Sequence, residues 1–134
     1  MEMILFMTEE KKSYNKKMIG LIFNSAALVT NGNFDLHNHV KDKVKDDKQL
    51  NNFFIAVHDF GDNDTSKVME VLKKCVEFYK KYENFYVCEL QGNEKEKESK
   101  FEKVLNEANS ISYENGDYAL KILSALFDIF TEEV

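Results

Sequence analysis

The segment from residue 53 to 105 constrains the fold more than any other part of the chain, because it joins a continuous apolar run to a long amphipathic pattern. The run Phe53–Val57 is rich in aromatic and β-branched residues, which predicts a central strand covered on both faces. Apolar residues in and around this run also fit a helical period: Leu50, Phe53, Phe54, Val57 and Phe60. An all-helical fold of the same size, with 50–60 in a helix, is therefore the second interpretation.

The segment from Thr65 to Glu83 has the clearest helical pattern of the chain. Its large apolar side chains recur at helical spacing: Val68, Met69, Leu72, Cys75, Val76, Tyr79 and Tyr82. Lysines and glutamates occupy most of the other side. Asp64 or Thr65 follows a turn and is placed to cap the helix. We predict an amphipathic helix in which the Cys75 thiol is buried as a small hydrophobic group.

The part of the chain before residue 53 predicts one strand, one helix and a polar stretch. Residues 2–7 form a short apolar run, which favours a buried strand. Apolar residues at helical spacing predict a helix from Ser13 to about Thr30, ended by Asn31-Gly32. The same Asn-Gly pair also suits a hairpin turn between two strands. Residues 33–52 are polar and weakly alternating, which predicts exposed edge strands or a loop.

The part of the chain after residue 83 predicts an extended piece, a linker and two helices. Residues 85–90 are too apolar for a free loop and are expected to extend over the core. Residues 91–100 are dense in charge, which favours a charged, mobile linker. Helical patterns follow over 101–111 and 117–131, the second as an extra C-terminal helix. The 134 residues suit a single domain, 1–134.

The acidic balance of the chain limits its partners. Asp and Glu number 24 against 18 Lys and Arg, which gives a formal net charge of -6. Nucleic-acid binding requires a basic surface, so we expect no nucleic-acid partner, whereas a basic protein would suit. The apolar start Met3–Met7 lacks a basic front and is too short for a membrane span. We predict a cytoplasmic protein that meets membranes only through its partners.

The sequence offers few groups that suit catalysis or metal binding. His37 and His39 would share one face of a strand, and His58 precedes Asp59, but no third metal ligand accompanies them. Surface histidines are the favoured interpretation. The acidic residues over 59–70 lack the spacing of a calcium loop, and there is no nucleophile elbow or phosphate-binding glycine loop. We predict no enzyme, no metal and no cofactor.

A series of short motifs follows the order found in the longin-domain small chains of vesicle-coat adaptor complexes, of sigma and zeta type. In this sequence the motifs are Phe53–Val57, Asp59–Asn63, Val76-Glu77, Tyr82, Val87–Leu90 and Phe101–Val104. The chain therefore resembles a divergent member of that family. The resemblance implies a longin-like α+β fold: a central, mainly antiparallel sheet with helices on both faces and an extra C-terminal helix.

The resemblance also implies a function and a site. Adaptor small chains help to bind acidic dileucine sorting signals in an apolar pocket. Val76 and Val87 match pocket positions, whereas Tyr86 stands where an asparagine is expected. Together with Phe53 and Leu90, these residues form the predicted partner-binding set. The predicted function is a non-catalytic protein–protein interaction domain, the small subunit or scaffold of a vesicle-trafficking or membrane-recruitment complex.

The acidic composition supports an alternative function. A stand-alone acidic inhibitor, such as an immunity or anti-defence protein, would bind a basic effector through carboxylates over 59–70 and 94–102. Both interpretations require a protein partner and no catalytic group.

Overall fold

The computed structural model describes residues 9–61, 63–85 and 94–131, apart from the side chains of residues 94 and 97, and its regular secondary structure is entirely helical. The six helices are α1 (Glu9–Val29), α2 (Asp35–Val44), α3 (Lys48–His58), α4 (Thr65–Tyr82), α5 (Glu94–Asn115) and α6 (Asp117–Phe130). The predicted α+β, longin-like fold with a central sheet is therefore wrong. The all-helical alternative is confirmed for the described part of the chain.

The apolar run that predicted a central strand lies in α3. Four apolar side chains of α3 are buried: Leu50, Phe53, Phe54 and Val57. Ile55 lies between them in sequence and is 55% exposed, whereas a strand would place Ile55 on the same face as Phe53 and Val57. The Asp47 side chain caps the helix by accepting a hydrogen bond from the Leu50 backbone N–H at 3.2 Å. The burial of apolar side chains at helical spacing and the Asp47 cap together explain why this run forms a helix.

One other prediction for the first half of the chain is wrong, and so is one alternative. Residues 33–52 contain α2 and the start of α3 and are not edge strands or a loop. The hairpin at Asn31-Gly32 is also wrong, because both residues follow a helix; Gly32 has a φ of 84°, as expected of a helix end. The predicted helix is confirmed as α1, with its start at Glu9.

The predicted linker over 91–100 is helical from Glu94 onward, so that the helix predicted for 101–111 is the central part of the longer α5. The predicted strand over 2–7 lies outside the described residues. The predicted extended piece over 85–90 lies outside them too, except for Phe85, which is buried.

The helix predicted over 65–83 is confirmed as α4. The Asp64 side chain caps it by accepting a hydrogen bond from the Lys67 backbone N–H at 2.8 Å. Cys75 is fully buried, and burial raises the pKa of its thiol to about 12, so the thiol is not activated as a nucleophile. Met69 is 40% exposed, and so the predicted buried stripe is wrong at this position.

The core lies around α6, which packs against α3, α4 and α5, while α1 packs against α2, α3 and α4. The apolar residues of α6 recur at helical spacing and seven of its side chains are buried: Tyr118, Ala119, Ile122, Leu123, Leu126, Ile129 and Phe130. Within the described ranges, no helix combines the length and the apolar character needed to cross a membrane.

A single residue separates α5 from α6. Gly116 lies between the two helices with a φ of 85° and a ψ of -167°. A residue that has a Cβ rarely adopts a positive φ, whereas glycine does so without steric cost. Gly116 therefore sets the reversal that lays α6 back along α5.

Replacing Gly116 should destabilise the protein through backbone strain alone. We expect Gly116→Ala to lower the free energy of unfolding by about 1 kcal/mol, measured by urea denaturation. Gly20→Ala is the matched control, because Gly20 lies inside α1 and an added Cβ would have no neighbour within 4 Å. The control should raise the free energy of unfolding by roughly 0.5–1 kcal/mol. Effects of the same sign in both variants would contradict the assigned turn.

Candidate functional site

Of the five predicted partner-binding residues, the structure describes Phe53 and Val76. Phe53 is fully buried and packs edge-on against Phe23, with ring centroids 5.2 Å apart, so it is not accessible to a partner. Val76 is partly buried against the core. Val87, Tyr86 and Leu90 lie outside the described residues, and their role stays a prediction.

A groove runs between α5 and α6 in the described structure. The residues lining it are Leu105, Ala108, Asn109, Ser112, Leu120, Leu123, Ser124, Phe127 and Asp128. Its volume is about 120 Å³, and small-molecule pockets usually measure roughly 300–1,000 Å³. Small side chains on both walls, those of Ala108, Ser112 and Ser124, leave this space between the helices. The groove therefore suits one or two side chains of a partner better than a whole metabolite.

The outer face of α5 continues the groove as an open depression. The depression has a volume of about 530 Å³ and is lined by Asn106, Asn109, Ser110, Tyr113 and Glu114. All five residues belong to one helix, so the depression cannot enclose a ligand. Asn109 lines both features, and together they form one continuous area, named here the α5–α6 surface.

Large apolar side chains on the α5–α6 surface remain in contact with water. Leu105 is 39% exposed, Leu120 is 48% exposed, and Tyr113 is 92% exposed. Tyrosine and leucine side chains in this position can bury apolar area when a partner covers them. The exposed side chains therefore mark a surface on which a partner would gain contact area.

Most carboxylates on and beside this surface have no ion pair with a described residue. Residues 104–131 contain four acidic residues and one lysine. Glu107 is bonded to Lys81 at 3.0 Å and to the Tyr82 hydroxyl, and Lys121 lies 3.7 Å from Asp59. The other three acidic residues have no ion pair with any described residue: Glu114, Asp117 and Asp128. Among the described residues, the α5–α6 helix pair therefore carries three carboxylates without an ion-pair partner.

The sequence reasoning missed the α5–α6 surface, although one signal was present. The four acidic residues against one lysine over 104–131 contrast with the lysine-rich segment before them. That signal predicts the charge of the surface but not its groove, because a groove forms only where small side chains of two packed helices face each other.

A second polar cluster joins α1, α2 and α3. The Ser25 hydroxyl lies 2.8 Å from Nε2 of His58, and Nδ1 of His58 lies 3.2 Å from Nδ1 of His37. Ser25 also donates its hydroxyl hydrogen to the Ile22 carbonyl oxygen at 2.7 Å. Sequence reasoning paired His37 with His39, but α2 is a helix, where residues two apart point in different directions. His39 is exposed.

The bond from Ser25 determines which nitrogens of the two histidines carry protons. The hydroxyl has one hydrogen, which goes to Ile22, so the hydroxyl oxygen accepts a hydrogen bond from Nε2–H of His58. Nδ1 of His58 then has a free lone pair and accepts from Nδ1–H of His37. Both rings are neutral in this arrangement.

Burial keeps this pair neutral near pH 7. Desolvation, with a smaller contribution from His37, lowers the pKa of His58 to about 4. Desolvation and the charge of Lys41 lower the pKa of His37 as well. The arrangement resembles a serine with its base, but Ser25 is fully buried and its hydrogen is held by Ile22, so the hydroxyl is not available to a substrate.

The described residues contain no group of three or more His, Cys, Asp or Glu side chains that could hold a metal ion. A closed structural zinc site with four protein ligands is therefore not formed by this part of the chain.

The lowered pKa of His58 should make the fold less stable in mild acid. Unfolded His58 titrates near 6.5 and folded His58 near 4, so the unfolded state binds the proton first. The stabilisation is complete above pH 6.5 and is lost as the pH falls towards 4. At pH 5 we expect a loss of about 1 kcal/mol relative to pH 7.5, after allowing for solvent screening of a partly exposed ring.

Urea denaturation at pH 5 and pH 7.5 measures this loss in His58→Gln and in His39→Ala. The glutamine variant keeps a neutral donor beside Ser25 and should lose that part of the pH dependence. The His39 variant should behave as the unmodified protein does, because His39 lies outside the cluster. Equal pH dependence in all three proteins would show that His58 is not the titrating group.

Comparisons with other proteins identify no relative of this chain. No protein-family model, no curated protein and no solved structure matches it.

Proposed function

We propose that the protein is a non-catalytic interaction domain that binds a basic, partly apolar segment of a protein partner on the α5–α6 surface. The observation that carries this proposal is that an apolar groove and carboxylates without an ion pair to any described residue lie on the same helix pair.

The apolar part of the surface would supply most of the contact energy. Leu105 and Leu120 stand on opposite walls of the groove, and each keeps more than a third of its side chain in water. Burial of apolar area contributes roughly 25 cal/mol per Å². An apolar segment of a partner, lying along the groove, would remove both leucines and the floor of the groove from water.

The charged part of the surface would select a basic partner. Asp128 lines the groove itself, and Glu114 lines the adjoining depression. Neither has an ion pair with a described residue, so a partner's lysine or arginine would not have to displace an existing one. Charges at the rim of an interface mainly raise the association rate and the specificity. A peptide with apolar and basic residues on one face matches both features.

The carboxylates of the α5–α6 surface favour the acidic inhibitor over the trafficking subunit as the form of this function. Over 59–70, Asp59 lies 3.7 Å from Lys121 and Asp64 caps α4, so these two carboxylates already have partners within the protein. The carboxylates of the α5–α6 surface are better placed for an external basic protein. An inhibitor would form a 1:1 complex that blocks an activity of its target, whereas a trafficking subunit would be recovered within a larger assembly.

Replacing Leu120 should weaken partner binding without weakening the fold. Asp at this position would place a charge in the groove, and we expect at least about a tenfold loss of affinity, the equivalent of one interface hot spot. Position 120 lies in the first turn of α6, where a carboxylate is favourable to the helix. Ile55→Asp is the matched control, because Ile55 is 55% exposed on α3 and does not line the groove.

The measurement begins with capture of partners from cells that produce the protein, followed by binding of the purified candidate to each variant. Loss with Leu120→Asp and retention with Ile55→Asp is the expected result. Equal binding by both variants would exclude the groove, and the absence of any stoichiometric partner would count against an interaction domain.

Reversing the free charges should slow association. We expect the double variant Glu114→Lys, Asp128→Lys to associate about tenfold more slowly at low salt, with a smaller difference at high salt. Both positions lie near the C-termini of their helices, where lysine is favourable, so folding should not suffer. Glu77→Lys is the control, because Glu77 is exposed on α4. Stopped-flow binding over a range of ionic strength measures the effect, and rates that do not change with salt would exclude a basic partner.

A further inference from the structure

We propose that His37 and His58 form a binding site for a divalent transition-metal ion, with Zn²⁺ as the probe ion, held between their two Nδ1 atoms. The inference concerns the histidine cluster and is independent of the partner surface on α5 and α6.

The separation of the two nitrogen atoms is the first argument. Two nitrogen ligands bound to one tetrahedral zinc at about 2.05 Å lie about 3.3 Å from each other. The Nδ1 atoms of His37 and His58 lie 3.2 Å apart, with the rings at 76° to each other. The backbone of α2 and α3 therefore already holds two imidazole nitrogens at the spacing that one ion requires.

The support around His58 is the second argument. Histidines that bind a metal usually donate their other ring N–H to an oxygen atom, which fixes the tautomer and directs the lone pair at the ion. His58 donates Nε2–H to the Ser25 hydroxyl at 2.8 Å, and Ser25 donates in turn to the Ile22 carbonyl at 2.7 Å. This series of hydrogen bonds leaves the lone pair of His58 on Nδ1, the atom that faces His37.

The protonation of the pair is the third argument, because a metal ion binds only the neutral imidazole. The hydrogen bonds from Nε2–H of His58 to Ser25 and from Nδ1–H of His37 to His58 leave one proton on each ring, so both rings are neutral in this arrangement. When the ion binds, the proton on Nδ1 of His37 would move to Nε2 by way of water. The ion would then take the place of the hydrogen bond between the two rings. No net proton is released at neutral pH, because both rings begin and end neutral.

The surroundings decide which ions fit and how tightly they bind. The described residues supply no third protein ligand, so water would complete the coordination shell and the affinity would be below that of sites with three or four protein ligands. Imidazole ligands suit Zn²⁺, Cu²⁺ and Ni²⁺, whereas Mg²⁺ and Ca²⁺ prefer oxygen ligands. Lys41 adds a positive charge near His37 and opposes any cation.

Calorimetric titration of the full chain with Zn²⁺ tests the site. His37→Ala and His58→Ala should each weaken the binding at least about tenfold, and Ser25→Ala should weaken it by a factor on the order of ten. His39→Ala is the matched control and should leave the affinity unchanged, since His39 is exposed and outside the pair. Lys41→Gln should strengthen binding. Mg²⁺ should give no binding to this pair.

Histidine imidazole ¹⁵N spectra of the unmodified protein provide a measurement that does not depend on the folding of any variant. Adding Zn²⁺ should shift the Nδ1 resonances of His37 and His58 and leave those of His39 in place. Unshifted His37 and His58 resonances, or a Zn²⁺ affinity that His58→Ala does not reduce, would show that the two rings are only hydrogen-bonded and would overturn the site.

Discussion

The packing of α6 against three other helices is the constraint on which the rest of the structure depends. Seven side chains of α6 are buried, so the helix must be covered by α3, α4 and α5. The polar part of this contact is also satisfied, because the buried Tyr118 hydroxyl donates a hydrogen bond to the Val57 carbonyl oxygen at the end of α3. The packing of α6 therefore determines the position of α5 and of the end of α3. The α5–α6 surface depends on the first position, and the histidine cluster depends on the second, because His58 is the last residue of α3.

Sequence reasoning recovered the helices in which apolar and charged residues separate cleanly, and it failed where apolar residues are continuous. The pattern around Thr65–Tyr82 has one period, and the predicted helix is α4. The run Phe53–Val57 fits a buried strand and a buried helix equally well by periodicity. The decision comes from outside the run: Asp47 caps α3, and the described residues contain no strand that could pair with it. Tertiary context therefore decided the fold class.

The two sites differ in how much of them was visible in the sequence. The histidines were noted as possible ligands, but His37 and His58 are 21 residues apart, and only the packing of α2 on α3 brings them together. Reading His37 and His39 as a pair required a strand at a place where the chain is helical. The charge imbalance of the α5–α6 surface is present in the sequence, whereas the groove depends on small residues of two helices facing each other. Contacts across long sequence separation have no signature in a single sequence.

The position of α5 in the bundle explains why a binding surface can occur there without cost to the core. Among the described helices, α5 packs against α6 and α4. The core contacts of α5 come from buried side chains such as Val104 and Ala108, while Tyr113 is almost fully exposed on the other side. Folding thus constrains one side of this helix and leaves the other side free to carry residues that act in binding. In the histidine cluster the opposite holds, because Ser25, His58 and His37 join three helices. A ligand there would affect the fold itself, whereas a partner on α5 and α6 would leave it unchanged.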